Sequence, residues 1–159
     1  MANYSGLVLQ APVTGTFKTA GAIFVSSTLR RVMLYEAEFG QTGTLAPTDC
    51  QDQWDLSRFG TTAAMTGSTV ATNLLDLADT ASAALYMYNQ TAEPTYTTAG
   101  NGLSLKSWAI NQRGSYRWRA LDDGDNILIP ATAAMGMGLR TLSSNFTASA
   151  VGSMSFVER

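Results

Sequence analysis

The chain contains no histidine, and this narrows its chemistry more than any motif in it. Without imidazole there is no Ser-His-Asp or Cys-His nucleophile, no ordinary general base, and no commonest transition-metal ligand. Catalysis by carboxylates alone, as in glycoside hydrolysis, is the chemistry left open. Its candidates are Glu36 with Glu38 on one strand face, and Asp52 with Asp55 on another. Two acids on a solvated strand face are ordinarily surface charge, so the expectation is a non-enzymatic protein with no catalytic site, metal or cofactor. Asp122-Asp123-Gly124-Asp125-Asn126 lacks the spaced ligands and distal Glu of a calcium loop, and reads as a hairpin turn. Gly136-Met137-Gly138-Leu139-Arg140 has no phosphate-binding lysine and reads as tight strand packing. Cys50 lies between Asp49 and Asp52, whose charge opposes thiolate formation, so a passive thiol is expected.

One basic-aromatic run, Arg113 to Arg119, has the residue types of a single-strand nucleic-acid platform. Strand alternation argues against it. Tyr116 and Trp118 fall on one face and Arg117 and Arg119 on the other, so stacking and phosphate contacts would lie on opposite sides. An inward aromatic pair is the plainer reading, with the arginines free to meet carboxylates of a partner. The net charge of −2 likewise gives no long-range pull toward nucleic acid or anionic membrane.

The elements that would position these residues are mostly short strands. Val32 and Leu34 alternate with Met33, Tyr35, Ala37 and Phe39, the first pair sharing a face with Glu36 and Glu38. In 51–59, Trp54, Leu56 and Arg58 alternate with Gln53, Asp55 and Ser57, giving a strand wet on the second face. Residues 61–72 form a Thr/Ala/Gly segment of weak pattern. Leu74 to Tyr88 is the one plausible helix, with Asp79 or Thr80 as its cap and Ala81, Ala83, Ala84 and Leu85 as formers. Strands are expected again over Leu103–Ile110, Ser115–Ala120, Ile127–Ile129 (stopped by Pro130), Met137–Leu142 and Val151–Val157. The core candidates are Tyr35, Trp54, Trp108, Tyr116, Trp118, Ile127, Ile129, Met154 and Phe156.

Residues 1–29 are Gly-, Thr- and Ala-rich with two apolar pieces, Leu7-Val8-Leu9 and Ile23-Phe24-Val25. They read either as one or two weak strands or as an arm that orders against a neighbouring subunit. The second is taken here: an N-terminal arm over 1–29 and a domain over 30–159. With 159 residues, one domain suffices. The fold class expected is all-β, a single-domain jelly roll or β-sandwich with a short helix in one connection. Charged residues make up only 14%, against about 25% in an average protein. A surface of Thr, Ser, Ala and Asn sheds little hydration when covered, which suits extensive interfaces. No apolar run is long enough for a membrane span, and Met1–Ala20 has no signal-peptide pattern. Synthesis and assembly in a cytoplasm are therefore expected. For the same reason the glycosylation-type triplets Asn89-Gln90-Thr91 and Asn145-Phe146-Thr147 carry little weight.

The order of several pieces resembles a known family. They are Arg30-Arg31-Val32-Met33-Leu34-Tyr35 with Phe39-Gly40, Gln53-Trp54, Leu75-Asp76 and Glu93-Pro94-Thr95-Tyr96. They continue with Leu103 to Arg113, Tyr116-Arg117-Trp118, and Ile129-Pro130-Ala131-Thr132 ahead of Gly136 to Leu139. Over roughly residues 30–158 the chain resembles the small jelly-roll-like proteins that decorate or cement the capsids of tailed bacteriophages. The most telling combination is Asn111-Gln112-Arg113, the aromatic-Arg-Trp step, then Pro-Ala-Thr and the glycine step. The resemblance implies an oligomer, a trimer at threefold positions, bound to the major capsid protein on the capsid exterior, with no enzymatic site, nucleic acid or membrane partner. The residues assigned to capsid or oligomer contact are Tyr4, Leu7, Val8, Leu9, Arg30, Arg31, Arg117, Arg119, Met135 and Met137. For the two methionines, core filling is an equal reading. The alternative function is a tail-fibre or spike jelly roll that binds host surface carbohydrate.

Overall fold

The structure is a computed structural model that describes residues 2–10, 15–26, 28, 30–44, 47–96, 104–142 and 149–159. Its strands in chain order are β1 (Asn3–Gln10), β2 (Lys18–Val25), β3 (Val32–Thr42), β4 (Gln51–Thr61), β5 (Thr66–Ala71), β6 (Asn73–Leu74), β7 (Ala84–Ala92), β8 (Thr95–Tyr96), β9 (Lys106–Asn111), β10 (Ser115–Arg119), β11 (Ile127–Ile129), β12 (Gly136–Leu142) and β13 (Ser149–Glu158). They form two sheets. The first has the order β10-β3-β13-β1-β6, with β11 also on β3; the second is β5-β7-β2-β12-β4-β8, with β9 also on β4. Every pairing is antiparallel. The all-β sandwich expected from strand periodicity is therefore present.

The main core lies between the sheets. Tyr4, Val8, Ile23, Leu34, Phe39, Trp54, Leu56, Tyr86, Met137, Leu139, Met154 and Phe156 are its fully or almost fully buried members. Each such side chain contributes roughly 1.5–3 kcal/mol when removed from water. Aromatic rings join the sheets: Phe39 of β3 lies 4.8 Å from Trp54 of β4 and 5.1 Å from Trp108 of β9.

The N-terminal residues correct the arm reading. β1 runs between β13 and β6, and β2 between β12 and β7, so 1–29 supplies an interior strand to each sheet. Tyr4 and Val8 have no exposed surface, and the Tyr4 ring stacks on Phe156 at 5.4 Å. The apolar pieces at 7–9 and 23–25 are strands because their alternate residues complete a core built by the rest of the chain.

The helix expected over 74–88 is absent, and no helix occurs among the described residues. Leu74 ends β6, a turn follows in which the Ala78 N–H donates to Asp76 Oδ1 at 2.9 Å, and Ala84 begins β7. The physical reason is burial on both faces of β7. Ala84 and Tyr86 enter the main core, while Leu85 and Met87 pack into a second apolar cluster with Ala22, Phe24, Phe59, Met65 and Tyr96. A strand covered on both sides shows no polar alternation, and its apolar run mimics a helix.

Two local departures re-aim residues. Against β13, β3 pairs Glu36 with Ser155 and then Leu34 with Phe156, leaving Tyr35 as an extra residue. This bulge shifts the alternation by one. Val32 and Leu34 therefore face the same core as Ala37 and Phe39, instead of sharing a face with the glutamates. The second departure is at 122–126, which is a turn but not a hairpin. Asp122 Oδ1 accepts the Gly124 and Asp125 N–H groups at 2.7 and 3.2 Å. The flanking β10 and β11 pair with different halves of β3, Glu36–Gly40 and Val32–Leu34. They lie end to end along one edge, with the acidic turn looping out between them.

Candidate functional site

Of the candidate carboxylates, Glu38 is exposed on β3, and the other three are buried or paired. Asp52 and Asp55 are both buried and point to opposite faces of β4, Asp52 with Trp54 and Asp55 outward. Asp55 is held on all sides: Arg140 Nε and Nη2 each donate at 2.8 Å, Ser104 Oγ at 2.7 Å and Ser57 Oγ at 3.0 Å. The expected wet face of β4 is thus a covered polar layer. The Arg140 guanidinium also lies over the rings of Tyr96 and Phe17, 4.3 and 4.7 Å from their centroids. Burial works against its charge, but the bonds and charge of Asp55, together with the nearby Tyr96 and Glu93, raise its pKa overall. Beside it, the Thr19 N–H donates to Glu93 Oε1 at 3.0 Å, and burial raises the Tyr96 hydroxyl above the usual tyrosine range. A carboxylate gripped at both oxygens by a guanidinium and two hydroxyls has no lone pair free for proton transfer. This cluster ties Glu93, Tyr96 and Ser104 to the second sheet; Leu103, and Asn145–Thr147, fall outside the described residues.

Glu36, with a side chain 15% exposed, meets Arg117 Nη2 at 2.8 Å and Arg119 Nε at 3.8 Å. Arg117 and Arg119 do face outward, while Trp118 packs on the core and Tyr116 lies 5.8 Å from Phe39. Their charge is answered within the chain by Glu36. Cys50 behaves as expected of a passive thiol: burial first, then Asp52 and Asp49, push its pKa up.

The ten residues assigned to contacts separate into groups. Tyr4, Val8 and Met137 are core, which corrects their assignment to a surface. Leu7 is 44% exposed and Leu9 half-buried on the outer face of the first sheet, in register with Ser153 and Val151 of β13. Arg30 reaches Glu158 at 3.2 Å. Glu158 also accepts from Ser82 Oγ, and from the Ala84 N–H at 2.8 Å. Burial would raise its pKa, yet these bonds together lower it.

Arg31 and Met135 come together. They line a cleft of about 540 Å³ with Arg58, Phe59, Gly60, Leu128, Pro130, Ala131, Thr132 and Gly136. The cleft opens at one end of the sandwich, where β4 of the second sheet approaches β11 of the first. Arg58 spans the gap, its Nη2 donating to the Leu128 carbonyl at 3.0 Å, while its buried Nε has no hydrogen-bond partner among the described residues. One wall is held by a tight turn in which Thr132 N–H donates to Pro130 O and Met135 N–H to Thr132 O, at 2.7 and 3.1 Å. Within it Ala134 has φ +67°, a left-handed conformation that costs a non-glycine residue about 1–2 kcal/mol. The Ala134 N–H donates to Val25 O at 3.0 Å and fixes it there. An apolar floor with two guanidinium groups suits an apolar side chain carried beside a carboxylate.

Sequence reasoning missed Arg58 as a site residue. Its signal was present: an arginine in the inward phase of a strand, after Trp54 and Leu56, marks the place where the sheets part. Leu128 and Pro130 carried no such signal, because the cleft arises from the meeting of two distant segments. Comparison of the chain with family models, with curated proteins and with solved structures finds no match.

Proposed function

We propose that this chain is a virion structural protein that decorates and cements a phage capsid, binding the assembled major capsid protein as an oligomer, a homotrimer, on the shell's exterior after synthesis in the host cytoplasm. We further read its sandwich as a jelly roll. The strand order supports that reading. Counting β1, β2, β3, β4, β9, β10 with β11, β12 and β13 as eight strands, the sheets run 1-8-3-6 and 2-7-4-5, the two interlocked Greek keys of a jelly roll. β5 to β8 are then an insertion between the fourth and fifth strands. The family resemblance over 30–158 points the same way, and the low charge fits a molecule built to be covered.

The observation that carries the function is the outer face of the first sheet. Ser5, Leu7, Ser153 and Ser155 lie across β1 and β13, beside Glu36 already paired with Arg117 and Arg119. Covering such a face strips water from few unpaired ions. The mechanism is linkage: a ligand of the assembled shell stabilises it by its binding free energy, and several contacts per oligomer raise the effective concentration of each. No bond is made or broken, and no cofactor, nucleic acid or membrane takes part.

The test is fractionation of virions with counting of copies. Decoration gives copies on the order of hundreds per particle, as repeated lattice sites require; a handful, or none on the head, refutes it. One observation favours the carbohydrate alternative: Trp108 and Tyr116, the latter 38% exposed, lie 5.6 Å apart where β9 turns into β10, and aromatic rings stack on sugars. Binding to a glycan array that is lost in Trp108→Ala would replace decoration by host recognition.

A further inference from the structure

We propose that the Leu75–Asp79 turn of one copy inserts into the Arg31–Arg58 cleft of the next, so that the chain associates with itself head to tail. The turn, between β6 and β7, presents Leu77 at 91% exposure and Leu75 at 56%. Asp76 and Asp79 flank Leu77 and make no ion pair among the described residues. Six of the ten basic side chains are paired with carboxylates inside the chain; of the other four, Arg31 and Arg58 share the cleft. An exposed leucine between two acids thus matches an apolar cleft with two guanidinium groups, none of the four charges being in an ion pair among the described residues. Covering both removes apolar surface from water and pairs charges that the monomer leaves single.

The placement excludes the chain from filling its own cleft. The turn leaves the β6 edge of the first sheet and the cleft lies at the β11 edge, four strand spacings apart, or roughly 19 Å. The two features are level along the strands. The Leu75 N–H donates to Asn3 O at 3.0 Å, and Asn3 is in register with Val157, Met33 and then Leu128 at the cleft. A knob and a hole on opposite edges at one level form a heterologous contact, which closes into a ring when the rotation between copies permits. Leu121, 93% exposed, is a weaker knob, because Asp123 beside it is already paired with Arg159 at 3.0 Å.

The inference rests on the self-association in the proposed function, and not on the shell. Sedimentation velocity at about 100 µM, where a contact of ordinary strength is populated, tests it. Wild type is expected to sediment as an oligomer. Leu77→Asp and Arg31→Glu, both at exposed positions, should each weaken assembly roughly ten- to a hundredfold with unchanged circular dichroism. An equimolar mixture of the two variants should form dimers and nothing larger, since one intact knob meets one intact cleft. A monomeric wild type, variants that assemble normally, or a mixture without dimers would overturn the proposal. A monomer that still decorates shells removes this contact alone, whereas an oligomer that ignores shells removes the function alone.

Discussion

Tyr86 occupies a slot whose walls are two glycines, and Gly6→Ala tests whether that slot holds the sandwich together. The ring crosses from β7 toward β1 and is fully buried. A Cβ on Gly6 would stand 2.1 Å from Tyr86 Cδ2, and one on Gly21 would stand 2.0 Å from its hydroxyl. Carbon atoms rest comfortably at about 3.5–4.0 Å, so the ring would have to move by more than 1 Å, and Gly21 with Val8 blocks the retreat. Overpacking of this kind costs about 1–3 kcal/mol, and the double confinement places Gly6→Ala near about 3 kcal/mol. For a domain of this size that is a fall in Tm of roughly 6–12 °C. Without such a neighbour the same change would be mildly stabilising, since alanine loses less backbone entropy than glycine. Urea and thermal unfolding followed by circular dichroism give the value. In a Tyr86→Leu background the cost of Gly6→Ala should drop below about 1 kcal/mol, the coupling expected of residues in contact. A single variant within about 0.5 kcal/mol of wild type, or an equal cost in both backgrounds, would refute the steric argument.

Two further outcomes follow from the fold. Removing residues 1–29 takes an interior strand from each sheet, so the remaining 30–159 should show no cooperative melt; a sharp transition with native-like circular dichroism would restore the arm reading. Glu158 has its pKa lowered from 4.5 by the bonds from Ser82, Ala83, Ala84 and Arg30, which outweigh burial. A depressed carboxylate stabilises the fold above its unfolded pKa, and that contribution is lost as pH falls through the folded one. Tm should therefore fall below about pH 4.5 less steeply in Glu158→Gln than in wild type; parallel profiles would show that Glu158 does not link β13 to β7 energetically.

Much of the framework was legible in the residues, for physical reasons that also explain the misses. Where one face of a strand meets the core and the other meets water, alternation marks it, as with Met154 and Phe156 against Ser153 and Ser155. Tyr116 and Trp118 were correctly placed opposite Arg117 and Arg119. The rule fails where the outer face is covered as well: Asp55 and Ser57 look wet, and β7 looks helical, because nothing local announces the layer above them. It fails again at Tyr35, where a single extra residue exchanges the two faces. The N-terminal strands were undervalued because small residues there are selected by what must fit against them. Gly6 and Gly21 make room for Tyr86, a partner more than sixty positions away.

The divided edge formed by β10 and β11 bears on how such a molecule tolerates crowding. A lone outer strand invites a foreign strand to zip onto its unpaired amides. Here that border is cut into pieces of five and three residues, and between them stands a loop with three aspartates, Asp122, Asp123 and Asp125. No incoming strand finds a ladder longer than a few rungs, and an acidic one is repelled. Proteins displayed densely side by side can thus touch along that border without fusing into fibres.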